Sequence, residues 1–113
     1  MKIYHNPRCS KSRKGLEYLK EKNIEVEIIQ YLKDIPFTIE TLTELVKKSG
    51  KEAHDMVRTH EELYKKEYKG KEFTEEEWIK IMVENPRLIK RPLIETKDTV
   101  IWGGLTENID KIL

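Results

Sequence analysis

The single cysteine of this 113-residue chain lies in His5-Asn6-Pro7-Arg8-Cys9-Ser10-Lys11-Ser12-Arg13, between the apolar pair Ile3-Tyr4 and a segment with helical spacing. A cysteine at a helix start meets unpaired backbone N–H groups and the positive end of the macrodipole, and both favour the thiolate over the thiol. Arg8, Lys11 and Arg13 add positive charge within a few residues. A lone intracellular cysteine is commonly a small buried hydrophobe, but Asn, Pro, Arg, Ser and Lys do not build an apolar pocket. Cys9 therefore reads as a nucleophile, with a pKa expected below the free-thiol value of about 8.5.

One cysteine closes no internal disulfide, so any disulfide chemistry draws on an outside thiol. His54 and His60 have no partners at metal-ligand spacing and read as surface residues, and no metal site is expected. Glu75-Glu76-Glu77 follows Thr74 directly, which suits the first turn of a helix.

The 22 Lys and Arg residues nearly balance 21 Asp and Glu, leaving a formal charge of +1. This near-balance removes the electrostatic warrant for nucleic-acid binding. Basic residues cluster at Arg8 to Lys14 and at Arg87 to Arg91, which favours a small anionic ligand over a polyanion. Neither a signal-peptide pattern nor an apolar run of membrane-spanning length is visible, so a cytoplasmic protein without membrane contact is expected.

These residues need elements to position them. Lys2 to His5 reads as a strand, about Lys11 to Lys22 as a helix ending near Asn23, and Val26, Ile28 and Ile29 as a second strand. Strand, helix, strand at this length implies a parallel pair with a right-handed crossover. Thr38 caps a helix whose Ile39, Leu42, Leu45 and Val46 share one face until Ser49-Gly50. Shorter helices are expected around Lys51 to Arg58 and Glu61 to Tyr68. Thr74 and Glu77 form a capping-box pair, and Phe73 and Trp78 stand at hydrophobic-staple positions. Trp78, Ile81 and Met82 follow on one face, and Asn85-Pro86 stops the helix. Leu93 to Thr96 and Thr99 to Trp102 read as a hairpin across Lys97-Asp98, which is not a favoured turn pair. Gly103-Gly104 ends the second strand, and Thr106 can cap a last helix carrying Ile109, Ile112 and Leu113.

The order β-α-β, helical insertion, β-β-α, with a cysteine at the first β-α turn, describes a thioredoxin-like α/β domain with a mixed four-stranded sheet. Such domains place a cis-proline beside the active site, and Pro92 stands just before the third strand. The expectation is one domain over residues 1–113, with the insertion at about 38–86. His5-Asn6-Pro7-x-Cys9-x-x-Ser12-Arg13, Arg58, and Ile89-Lys90-Arg91-Pro92-Leu93 together resemble the glutaredoxin-coupled arsenate reductase (ArsC) family, which also contains the Spx regulators. The resemblance covers essentially the whole chain.

The resemblance implies that Cys9 attacks an oxyanion such as arsenate, or a small disulfide, while Arg58 and Arg91 hold the anion. Guanidinium suits that task because it is always ionised and offers planar, bidentate donors. His5, Asn6, Ser12, Arg13 and Pro92 would support the active-site loop, with His5 either hydrogen-bonding inside it or ending the strand. No cofactor is bound; glutathione is the implied co-substrate, with glutathione or a glutaredoxin-like protein as reductant of a monomeric enzyme. The family's third arginine falls where this chain has Trp102-Gly103-Gly104, which implies weak or absent arsenate reduction, and an arginine placed at Gly103 or Gly104 is expected to raise it where the cradle is otherwise complete and the glycine backbone angles tolerate a side chain. The alternative is a Spx-like adaptor that binds RNA polymerase, without the Cys-x-x-Cys switch because the fourth position is Ser12.

Overall fold

A computed structural model describes residues 1–34 and 37–113, residue 34 by its backbone alone. These fall into two compact units, Met1–Pro36 with Arg91–Leu113, and Phe37–Lys90; the stretch expected as a helical insertion lies within the second. Among the described residues no helix is long and apolar enough to cross a membrane.

The first unit is α/β. Strands β1 (Lys2–His5), β2 (Glu27–Gln30), β3 (Leu93–Glu95) and β4 (Val100–Trp102) form one sheet in the order β2-β1-β3-β4. β1 runs parallel to β2 with Ile3 opposite Ile28, and antiparallel to β3 with Ile3 opposite Ile94. β4 returns antiparallel to β3, with Ile94 opposite Ile101. Ile3, Leu19, Ile94 and Ile109 are fully buried together, with Leu16, Tyr18, Ile24 and Val26 packed around them. The core thus joins β1 and β3 to helix α1 (Ser10–Glu21) and helix α6 (Thr106–Asp110).

Local chemistry explains where these elements stop. α1 ends on Asn23 in the left-handed region (φ 59°), with Ile24 N–H donating to Leu19 C=O and Asn23 N–H to Lys20 C=O, a Schellman motif with asparagine in place of glycine. In the β3–β4 hairpin, the Thr96 hydroxyl oxygen accepts from the N–H groups of Asp98 (3.2 Å) and Thr99 (3.0 Å). This side-chain bonding closes a turn that Lys97-Asp98 alone would not favour. Thr106 does not cap the last helix as expected. Leu105 is its extended N-cap residue and no side-chain cap bond forms; Leu113, expected on the apolar face, is exposed.

The described part of the second unit is built on helices. α2 (Tyr31–Asp34) belongs to the first unit, and α3 (Ile39–Ser49) opens the second with a reciprocal Thr38–Thr41 capping box and ends on Gly50 at φ 71°. Leu42, Leu45 and Val46 are buried as expected, but Ile39 is 53% exposed, lining an open groove with Thr43, Val46 and Ile79. α4 spans Glu62–Glu67 and α5 Glu75–Glu84, the latter opened by the Thr74–Glu77 capping box. Phe73 packs edge-on against Trp78 at 4.9 Å, and Trp78 is 5% exposed. The helix expected over Lys51 to Arg58 is only a 3-10 turn, Ala53–Met56. Val57 is instead extended and bridges Ile89, flanked by Arg58 N–H to Leu88 C=O and Lys90 N–H to Met56 C=O. Non-local strand pairing overrides the local helical pattern there.

Gly15 of α1 faces the loop after β4: a Cβ there would stand 2.8 Å from the Gly103 carbonyl oxygen and 3.0 Å from Pro92 Cγ. In an unhindered helix, glycine to alanine gains roughly 0.5–1 kcal/mol. Here overpacking should reverse the sign, and Gly15→Ala is expected to lose about 1–3 kcal/mol in urea denaturation; a stabilised variant would show that this close approach is absent.

Candidate active site

The loop between β1 and α1 is organised by its own polar side chains. Asn6 accepts twice, its C=O from Cys9 N–H and its Oδ1 from Arg8 N–H, both at 3.0 Å, which folds Pro7-Arg8 into a tight turn. Arg13 donates to the Pro7 carbonyl at 2.8 Å and ties the helix back to that turn. Ser12, fully buried, places its hydroxyl 2.7 Å from His5 Nδ1 and 3.0 Å from the Asn6 N–H that donates to it. Burial, then Lys20 and Arg13, lower the His5 pKa, so the ring is held neutral. A neutral ring can accept the Ser12 proton at Nδ1, and that assignment satisfies all three groups. His5 thus both ends β1 and bonds within the loop.

Cys9 is the N-cap residue of α1, extended at φ −95° and ψ 123°, with its C=O accepting from Arg13 N–H at 3.0 Å. Its sulfur is half-buried, and burial alone pushes the thiol up. The Ser12 N–H, the Arg91 guanidinium and the Lys11 N–H act in the opposite direction. Neither N–H completes a capping bond by geometry, yet together with Arg91 they outweigh burial and hold Cys9 below its ordinary value.

Arg91 reaches the sulfur from the strand-entry turn of β3. The Arg91–Pro92 peptide is cis, as expected from the thioredoxin-like order. The Trp102 indole N–H donates to the Arg91 carbonyl at 2.9 Å, and Gly103 N–H to the Pro92 carbonyl at 2.8 Å. Burial works against the Arg91 charge, but the neighbouring Cys9 and Tyr31 raise its pKa above the ordinary value. Arg91 is therefore a cation placed beside both the thiol and a buried phenol.

Two of these residues, Tyr31 and Trp102, escape sequence reasoning as site residues. Tyr31 is 1% exposed and begins α2 at the carboxyl end of β2, beside the carboxyl end of β1 that carries the cysteine loop. Its place directly after a parallel strand was the available signal. Trp102 carries the Lys11 ammonium over its ring, 5.2 Å from the centroid, an interaction worth about 0.5–1 kcal/mol at an exposed position.

The glycines after Trp102 do not offer room for an arginine. A Cβ at Gly103 would lie 2.5 Å from Cδ1 of Ile94, a core residue, and one at Gly104 would collide with the Trp102 ring. The expectation that arginine at either position raises activity is therefore corrected: such a variant would disturb the core or displace the indole first.

Arg58 lies in the second unit, where its guanidinium donates to Glu61 at 2.7 Å and to the Arg87 carbonyl at 3.1 Å, with His60 Nε2 at 3.2 Å. Glu61 compensates its charge locally. His54 and His60 are exposed, but each has a neighbour: His54 packs on Trp78 at 5.0 Å, and His60 on Arg58. Glu75 and Glu77 serve helix starts, Glu75 accepting from Ala53 N–H and Glu77 from Thr74 N–H.

Removing the Ser12 hydroxyl would strand the buried Asn6 N–H and His5 Nδ1 together. Ser12→Ala is expected to lose about 1–3 kcal/mol of stability, measured by urea denaturation, and to slow Cys9 alkylation at neutral pH. Wild-type stability with unchanged alkylation would mean that the hydroxyl fixes nothing.

Comparison with known proteins matches this arrangement to a family. The ArsC family model matches residues 4–112. The chain is 44% identical over its whole length to an uncharacterised protein, YfgD, of Escherichia coli K12, covering 96% of that protein. It is 33% identical over its whole length to an arsenate reductase of Neisseria meningitidis serogroup B, covering 97% of it. An arsenate reductase structure from Vibrio cholerae superposes with a TM-score of 0.90 at 36% identity, spanning 100% of this chain and 98% of that one. With the thioredoxin-like order of elements and the Cys9 loop, these matches establish that the chain belongs to the ArsC family.

Proposed function

We propose that this protein is a thiol-dependent reductase in which the Cys9 thiolate attacks a small oxyanion, arsenate being the substrate class, with glutathione or a glutaredoxin-like protein as reductant. The observation that carries this reading is the half-buried Cys9 sulfur held below its ordinary pKa by helix-start N–H groups and by Arg91. An anionic nucleophile approaching an anionic substrate needs such compensating charge.

The chemistry balances with external thiols alone. Sulfur of Cys9 bonds to arsenic and an arsenate oxygen leaves as water after protonation. One external thiol then bonds to arsenic, displacing a second arsenate oxygen as water, and a second thiol attacks that thiol's sulfur, giving a disulfide and moving two electrons to arsenic. The net reaction is arsenate and two thiols to arsenite, one disulfide and water. Cys9 is regenerated when water displaces it from the arsenite-level adduct. The chain's single cysteine fits this division, since no internal thiol is available to resolve the adduct.

Intact mass after incubation with arsenate, with glutathione, and with both is the direct test. An adduct on Cys9 that disappears in Cys9→Ser is the expected result, and no adduct in any mixture would contradict the proposal. Arg91→Gln should lower turnover by one to two orders of magnitude, the loss of a charge-assisted bond of about 1.5–3 kcal/mol. The oxyanion role implied for Arg58 has its own test: Arg58→Ala should lower arsenate turnover and leave alkylation of Cys9 unchanged.

A further inference from the structure

A second side-chain cation stands close to Cys9 in the chain. Lys11 stands two residues after the cysteine, in the first turn of α1, and its own N–H is one of the groups that stabilise the sulfur. Its side chain is exposed and its ammonium lies over the Trp102 ring. The far edge of that indole donates to the Arg91 carbonyl, and the Arg91 guanidinium returns to Cys9. Arg91, Trp102 and the Lys11 ammonium are therefore linked in series, and the backbone N–H of Lys11 faces Cys9. Trp102 is itself fixed, since its ring stacks against the backbone at Gly104 and its carbonyl accepts from Asn108 at 3.0 Å. A lysine side chain normally samples many rotamers in solvent. This one rests on the Trp102 ring.

We propose that Lys11, held over Trp102, is a second anion-binding residue of the thiol site, drawing small oxyanions and carboxylates to the Cys9 sulfur. The assignment rests on the reading of Cys9 as a nucleophile toward anions, and it adds a residue to that reading. Arg91 is partly buried and engaged by both the thiolate and Tyr31. Lys11 is exposed, so it can meet an incoming anion first. A compact, hydrated ammonium resting on an aromatic face also moves to a ligand more readily than a partly buried guanidinium.

Two alkylating agents of similar size isolate this role without any arsenate. Iodoacetate is an anion and iodoacetamide is neutral, and both react with the same thiolate. Their rate ratio at Cys9 reports anion steering separately from thiolate population. In Lys11→Met the iodoacetate rate is expected to fall about three- to fivefold at low ionic strength with the iodoacetamide rate unchanged, as one unit charge several ångströms away provides in a water-like medium. Lys11→Arg should restore the ratio, Lys14→Met on the same helix should leave it at the wild-type value, and high salt should erase the difference. Trp102→Leu should lower the ratio in the same sense, because the ammonium is then released. An unchanged ratio in Lys11→Met, an equal fall in Lys14→Met, or a parallel loss of both rates would each overturn the assignment. A lowered ratio in a protein that forms no arsenate adduct would uphold Lys11 while removing arsenate as the substrate.

Discussion

The site is governed by the electrostatic balance at one half-buried sulfur atom. Burial alone would keep Cys9 protonated, and three donors reverse that: two N–H groups of the first turn of α1 and the guanidinium of Arg91. Each donor is held by something else. Ser12 is fixed because its buried hydroxyl serves both His5 and the Asn6 N–H. Arg91 is held through its carbonyl by Trp102, and Tyr31 stands beside its guanidinium. α1 lies close because Gly15 leaves space for the Gly103 carbonyl and Pro92. Losing any of these supports would let burial regain control of the thiol.

Sheet topology explains how residues far apart in sequence arrive at one edge. β1 and β2 are parallel, so their carboxyl ends deliver the cysteine loop and Tyr31 side by side. β3 runs the other way, so it is the amino end of β3, with Arg91-Pro92, that meets the carboxyl end of β1. β4 reverses again and brings Trp102-Gly103 to the same edge. A mixed sheet in the order β2-β1-β3-β4 thus presents four strand ends to a single thiol. The fully buried pair Ile3–Ile94 sets that register from within the core, and a one-residue slip would turn the apolar set outward.

Much of this was legible in the chain because local signals agreed with the fold. Short apolar runs marked β1, β3 and β4, and the Thr74–Glu77 pair marked the start of α5 to the residue. Cys9, Arg91 and the cis-proline were legible from motif spacing, because the loop residues are contiguous and Pro92 directly precedes β3. Tyr31 and Trp102 were not, because their contacts with Arg91 join β2, β3 and β4, and no local pattern records which side chains converge at strand ends. Val57 shows the same limit, since its pairing with Ile89 cancels a helix that its neighbours suggest. The hairpin turn was underrated because Thr96 supplies by side chain the bonding that Lys97-Asp98 lacks. The glycines after β4 were read for backbone freedom, whereas space against Ile94 and Trp102 is what they provide.

Because Cys9 is the only thiol in the chain, ultraviolet thiolate absorbance against pH, with Cys9→Ser as the blank, reads the state of this sulfur with no reagent and no substrate. The account predicts a single transition with its midpoint below the free-thiol value of about 8.5, moving upward in Arg91→Gln. A midpoint at or above that value in the wild-type protein would contradict it, because burial would then have won at Cys9.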